Sequence, residues 1–104
     1  MEKRPKLPAM YEKFSERFPR LREAWDVIGE AGKEGPLDPA TQRLVKIGIA
    51  IGAMREGSLH SAVRKAKAAG VTREQIEQVV ALAAGTIGMP STVAVYSWIL
   101  DEFE

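Results

Sequence analysis

The sequence predicts an all-α domain of about five to six helices built on helical hairpins. Three observations carry this. Apolar residues recur at alternating steps of three and four along most of the chain, the spacing of one helix face. Prolines stand where helices start and glycines where they stop. Only Ile47, Ile49 and Ile51 alternate as in a strand, and the caps and length of that segment favour helix.

Tyr11, Phe14, Phe18, Leu21, Trp25 and Ile28 form the first helical stripe. Proline suits a first turn and damages a helix interior, so Pro19 divides the stripe. One short helix ends near Arg17 and a second runs from Pro19 to about Ala31, with Gly29, Gly32 and Gly35 marking the exit. Asp38 is the expected N-cap of the next helix and Pro39 its first residue. Leu44, Ile47, Ile51 and Met54 line one face of this helix, expected over 39–54. Val45 and Ile49 add a second apolar face, as in a central helix shared with another subunit. Gly48, Gly52 and Gly57 are expected to permit close packing. Gly57 and Ser58 open the following helix, which puts His60 in its first turn, turns Leu59, Val63 and Ala66 inward, shows Arg64 and Lys65 to solvent and stops at Gly70. Thr72 and Gln75 have capping-box spacing ahead of Ile76, Val79, Val80 and Ala83. Gly88 closes that helix and Pro90 starts the last, whose expected core stripe is Val93, Tyr96, Leu100 and Phe103, with Val95 and Ile99 beside it.

Composition narrows the chemistry. At 104 residues the chain is expected to be a single domain, 1–104, and so small a domain buries only about two-thirds of its unfolded surface. Self-association is the natural remedy. The absence of cysteine removes disulfides, thiolate metal sites and thiol redox chemistry together. The longest apolar run, 47–54, falls far short of the ~20 residues that span a bilayer, and no secretory core follows the polar start. A cytoplasmic protein with no membrane partner is expected. Fifteen basic residues against fourteen acidic leave a formal charge of +1. Lys3, Arg4 and Lys6 read as a solvated arm, so no nucleic-acid partner is expected.

With one histidine and no cluster at metal-ligand spacing, neither a metal nor another cofactor is expected. The glycines do not follow a strand, so nucleotide binding has no support. Ser58 and Ser61 point away from His60 on a helix, which argues against a serine nucleophile. Arg55, Glu56 and His60 remain. Glu56 precedes His60 by four residues and reaches its ring if the helix begins early enough. A carboxylate on one ring nitrogen fixes the tautomer and leaves the other nitrogen to exchange a proton near neutral pH, while an arginine holds a substrate carboxylate. The alternative is an ordinary structural histidine beside a helix-end charge pair.

The stretch "LDPATQRLVKIGIAIGAMREGSLHSAVRKAKAAGVTREQIEQVVALAAGTIGMP", residues 37–90, resembles the carboxymuconolactone decarboxylase and alkyl hydroperoxidase D-like family. The likeness lies in its capped helix start, its "H…A…AGVTREQI" hairpin and its "G-x-P" junction. It implies an all-α fold assembling as trimers or hexamers, with the site near subunit contacts. The family's peroxidase branch uses Cys-x-x-Cys-x-x-x-His; Ala53 and Glu56 stand at its cysteine positions and His60 at its histidine. Arg43 stands where an acidic residue usually precedes the leucine matched by Leu44. What is retained resembles the cysteine-free decarboxylase side, which uses no metal or organic cofactor. The resemblance then implies an acid–base enzyme acting on a small lactone or keto acid, with His60 and Glu56 catalytic, His60 as proton donor or acceptor and Glu56 as its orienter, and Arg55 or Arg43 holding the carboxylate. The alternative is a non-catalytic helical oligomer serving assembly or ligand binding. An inherited peroxidase or antioxidant role is disfavoured without the cysteine pair.

Overall fold

Proline, capping side chains and left-handed turns divide the chain into six helices: α1 (Lys3–Arg17), α2 (Pro19–Gly32), α3 (Pro39–Gly52), α4 (Glu56–Ala68), α5 (Arg73–Ile87) and α6 (Met89–Leu100). The structure, a computed structural model, describes residues 3–104, with side chains described from Ala9 onward. The basic start Lys3, Arg4 and Lys6 lies outside the described side chains. No strand occurs among the described residues, and no described helix is long and apolar enough to cross a membrane. Contacts divide the chain into two units, residues up to Pro36 and Leu37–Glu104.

In the first unit the break falls at Phe18. This residue is forced out of helical geometry, at φ −129° and ψ 71°, by Pro19 in the first turn of α2. The expected apolar stripe is present, but Phe14, Leu21, Trp25 and Ile28 are all exposed, and α2 has no buried residue.

The second unit is a four-helix arrangement in which α3 packs on α4 and α5, and α6 packs on α5 and α4. Its core is Ile47, Ile51, Leu59, Val63, Ile76, Val95 and Ile99, all fully buried, with Ala50, Ala66, Val71 and Val80 around them. The Asp38 carboxylate caps α3 by accepting from the Thr41 amide at 2.7 Å. That bond holds its carboxyl below the usual range. The Thr72–Gln75 capping box is complete, with side-chain to backbone bonds of 2.9 and 3.1 Å.

Four local expectations need correction. Helix α3 stops at Gly52, so Met54 lies outside it. Met54 takes a left-handed φ of 54°, while its amide bonds Ile51 O and that of Arg55 bonds Ala50 O, a Schellman closure. That turn leaves Arg55 extended as the N-cap of α4, which therefore begins at Glu56; Gly57 and Ser58 lie inside the helix and His60 in its second turn. Of the glycines read as close-packed, only Gly48 has a neighbour: a Cβ there would stand 3.7 Å from Val79 Cγ1, and nothing lies within 4 Å at Gly52 or Gly57. In α6 the buried stripe is Thr92, Val95 and Ile99, and Val93 is exposed. The helix is apolar nearly all round, so periodicity left two candidate faces, and packing against α4 and α5 selected the one centred on Val95 and Ile99.

Candidate functional site

The early start of α4 sets the geometry at His60. One turn separates Glu56 from His60, so both side chains lie on one helix face. Glu56 Oε2 stands 3.3 Å from His60 Nε2. Leu59 and Val63 bury their side of α4 against the core and leave His60 only 8% exposed.

The other ring nitrogen meets a residue that sequence reasoning missed. Glu102, in the turn after α6, places Oε2 2.6 Å from His60 Nδ1. Its side chain is almost wholly buried. A carboxylate in such a place needs positive or donating partners. The Arg64 guanidinium donates to the same oxygen at 3.3 Å, and Lys67 donates to the Glu102 backbone carbonyl. Arg64, read as solvent-facing, is partly so, yet its head turns back to this carboxylate. Next in the chain, the Phe103 ring is approached by two cations, Lys67 Nζ at 4.5 Å and Arg73 at 5.2 Å from its centre. The signal for Glu102 is present in the sequence: the buried positions 92, 95 and 99 continue by the same steps to 102, which ends an apolar stripe on an acid.

The two carboxylates address opposite nitrogens of one ring, so they do not converge on a point where a metal ion would sit. Among the described residues no group of three or more histidine or acidic side chains is placed to hold a metal. With both nitrogens protonated the ring donates to both carboxylates. With the proton only on Nδ1, Nε2 becomes an acceptor, and the half-exposed Glu56 must then carry a proton or swing away. Of the two ring nitrogens, Nε2 thus faces the more exposed carboxylate.

The expected carboxylate-holding arginines are not gathered into this cluster. Arg43, half-buried on α3, and Arg55, exposed at the start of α4, make no side-chain hydrogen bond or ion pair among the described residues. A second polar group lies on the α5–α6 side, where Tyr96 donates to Glu77 at 2.8 Å and Arg73 pairs with the same oxygen at 3.0 Å. Those two bonds, that of Tyr96 first, hold the Glu77 carboxyl below its ordinary value. A cavity of about 410 Å³ in the first unit is lined by Tyr11, Phe14, Leu21, Trp25 and Ile28 among others, and includes no residue of the His60 cluster.

The model of the carboxymuconolactone decarboxylase family matches residues 19–101, from the start of α2 to the end of α6. The chain belongs to this family. Comparison with curated proteins and with solved structures finds no match. The family region of this carboxymuconolactone decarboxylase family member takes in His60, Glu56, Arg64 and Lys67 and ends one residue before Glu102. With no cysteine in the chain, thiol-peroxidase chemistry has no nucleophile here.

Proposed function

We propose that this family member is a cofactor-free acid–base enzyme, decarboxylase-like, acting on a small lactone or keto acid, with His60 as its proton-transfer group. The observation that carries the reading is a nearly buried histidine whose Nε2 faces the half-exposed Glu56. In the reaction class considered, the bond from carbon to a carboxylate β to a carbonyl breaks, carbon dioxide leaves, and the electron pair remains as an enolate. His60 Nε2–H gives its proton to that carbon, and the ring takes a proton back from solvent. Arg55, next to Glu56 in the chain, or Arg43 supplies the cation for the substrate carboxylate.

A screen of small lactone and keto acids with wild type, His60→Asn and Glu56→Gln tests this, with melting temperatures in parallel. Turnover by wild type falls by about 10²–10⁴ in the asparagine variant, where no imidazole remains to transfer a proton. Glu56→Gln falls less. Equal turnover in wild type and His60→Asn removes the assignment.

A second reading has its own observation. The apolar cavity is lined by residues of α1 and α2, and the apolar stripe around it is exposed. This supports a non-catalytic helical oligomer, binding or assembling through that face, in which the His60 cluster only ties α4 to the terminal turn. On that reading His60→Asn lowers the melting temperature and leaves ligand binding unchanged.

A further inference from the structure

We propose that Glu102 is a positioning residue for His60: it fixes the imidazole as the Nδ1–H tautomer, presents Nε2 outward, and makes the turn after α6 part of the site. The proposal deepens the proton-transfer reading and rests on it for its functional meaning. A carboxylate is acceptor-only when ionised, so the nitrogen that faces it most closely must carry the hydrogen. Both nitrogens of His60 face carboxylates, and the geometry ranks them. Glu102 approaches Nδ1 at 2.6 Å, within the range of a charge-assisted bond, whereas Glu56 stands at 3.3 Å from Nε2. Burial ranks them the same way: the Glu102 side chain is 4% exposed and that of Glu56 49%.

A side chain in a terminal turn orients a catalytic ring only if the turn itself is held, and here it is held at three points. Arg64 takes the same Glu102 oxygen as the ring, which neutralises the carboxylate and limits its rotation. Lys67 takes the Glu102 carbonyl. Lys67 and Arg73 also both stand over the ring of the following Phe103. Arg64, Lys67 and His60 stand at steps of four and three on α4, so a single helix face receives the whole turn. Among the described residues, the charged groups facing the ring are thus Glu56 from its own helix and Glu102 from the turn after α6, with Arg64 of α4 behind Glu102. No position within the family match supplies this carboxylate; it lies one residue beyond.

The chain has a single histidine, so its ring-nitrogen NMR shifts can be read on the intact protein without a substrate. In the spectrum of the neutral ring, wild type should show hydrogen on Nδ1. Glu102→Ala leaves Glu56 as the sole carboxylate at the ring among the described residues, so the hydrogen should move to Nε2. Glu56→Ala should strengthen the Nδ1–H form. Glu102→Gln keeps a carbonyl acceptor in the same place and should restore Nδ1–H in part. An unchanged tautomer in folded Glu102→Ala, or a shift in the same direction in both alanine variants, overturns the proposal; if Glu102→Ala does not fold, hydrogen on Nε2 in wild type overturns it. On an acid that wild type turns over, kcat should fall by about 10–10²-fold in Glu102→Ala with KM little changed, as for loss of an orienting partner. A fall confined to KM overturns the positioning role. Loss of the His60→Asn effect on turnover would strike the proton-transfer reading alone, since the tautomer is read without turnover.

Discussion

Met54 and Gly70 occupy the same place in two successive helix ends and show what a single backbone conformation costs. Each is the left-handed residue of a Schellman closure: Arg55 N and Met54 N bond Ala50 O and Ile51 O, as Val71 N and Gly70 N bond Ala66 O and Lys67 O. Gly70 reaches φ 89° without a Cβ to clash, whereas Met54 holds φ 54° against one. Met54→Gly should stabilise the protein by about 0.5–1 kcal/mol, the left-handed cost of roughly 1–2 kcal/mol less the greater backbone freedom glycine loses on folding. Gly70→Ala should destabilise it by about 1 kcal/mol. Thermal unfolding of both variants checks the pair; a destabilised Met54→Gly would mean that the methionine side chain contributes more than its backbone costs. The same residue scale explains what was legible at the site. Glu56 and His60 lie four apart on one helix, so their meeting follows from helical geometry once the helix is known to begin at Glu56. Glu102 lies 42 residues from His60, and no local rule specifies such a contact; it follows from how α4 and α6 pack.

Among the elements, α6 best separates sequence pattern from packing. Nearly every position from Met89 to Leu100 is apolar or small, so two faces satisfied a helical period, and the one read first was centred on Val93 and Tyr96. Ile99 is fully buried and Val93 well exposed, so Ile99→Ala should cost about 2–5 kcal/mol and Val93→Ala less than about 0.5 kcal/mol. Urea unfolding of the two variants decides between the faces, and equal losses would contradict the observed packing. Helices with marked starts left no such ambiguity: the Asp38-Pro39 cap and the Thr72–Gln75 box were readable because the chemistry that starts a helix lies within four residues. Tyr96, half-buried beside the core stripe, joins α6 to α5 through Glu77, and this link makes stability pH-dependent. The Glu77 carboxyl lies below its ordinary 4.5 in the folded protein, so its contribution is fully present above that value and is lost as pH falls through the lowered one. Tyr96→Phe removes the largest cause of the lowering. Its unfolding free energy should therefore fall less steeply than that of wild type as pH drops below 4.5, and parallel acid profiles for the two proteins would exclude the link.

At the scale of the molecule, the apolar stripe of α2 requires an explanation that its own helix does not supply. Leu21, Trp25 and Ile28 follow the spacing that normally marks a buried face, yet each is more than half exposed, and α2 contributes nothing to the buried core. Val45 and Ile49 repeat the pattern on α3, where the opposite face, Ile47 and Ile51, is fully buried. Scattered exposed apolar residues are normal on a protein surface, but a helical stripe of large side chains including a tryptophan is the composition of an interface. A second copy of the chain is the partner we expect, since two apolar faces on one small chain allow copies to cover one another with closed symmetry. Sedimentation equilibrium at micromolar concentration should then give a mass well above the 11.4 kDa of one chain. The melting temperature should rise with protein concentration, because association stabilises the folded state by mass action. Placing a charge in each stripe, Trp25→Asp or Ile49→Asp, should lower the mass and abolish the concentration dependence while the fully buried core of the second unit, which neither residue enters, keeps its helices. A stable species of monomer mass whose melting temperature does not depend on concentration would leave both stripes as true surface, and any site completed by a partner copy would go with them.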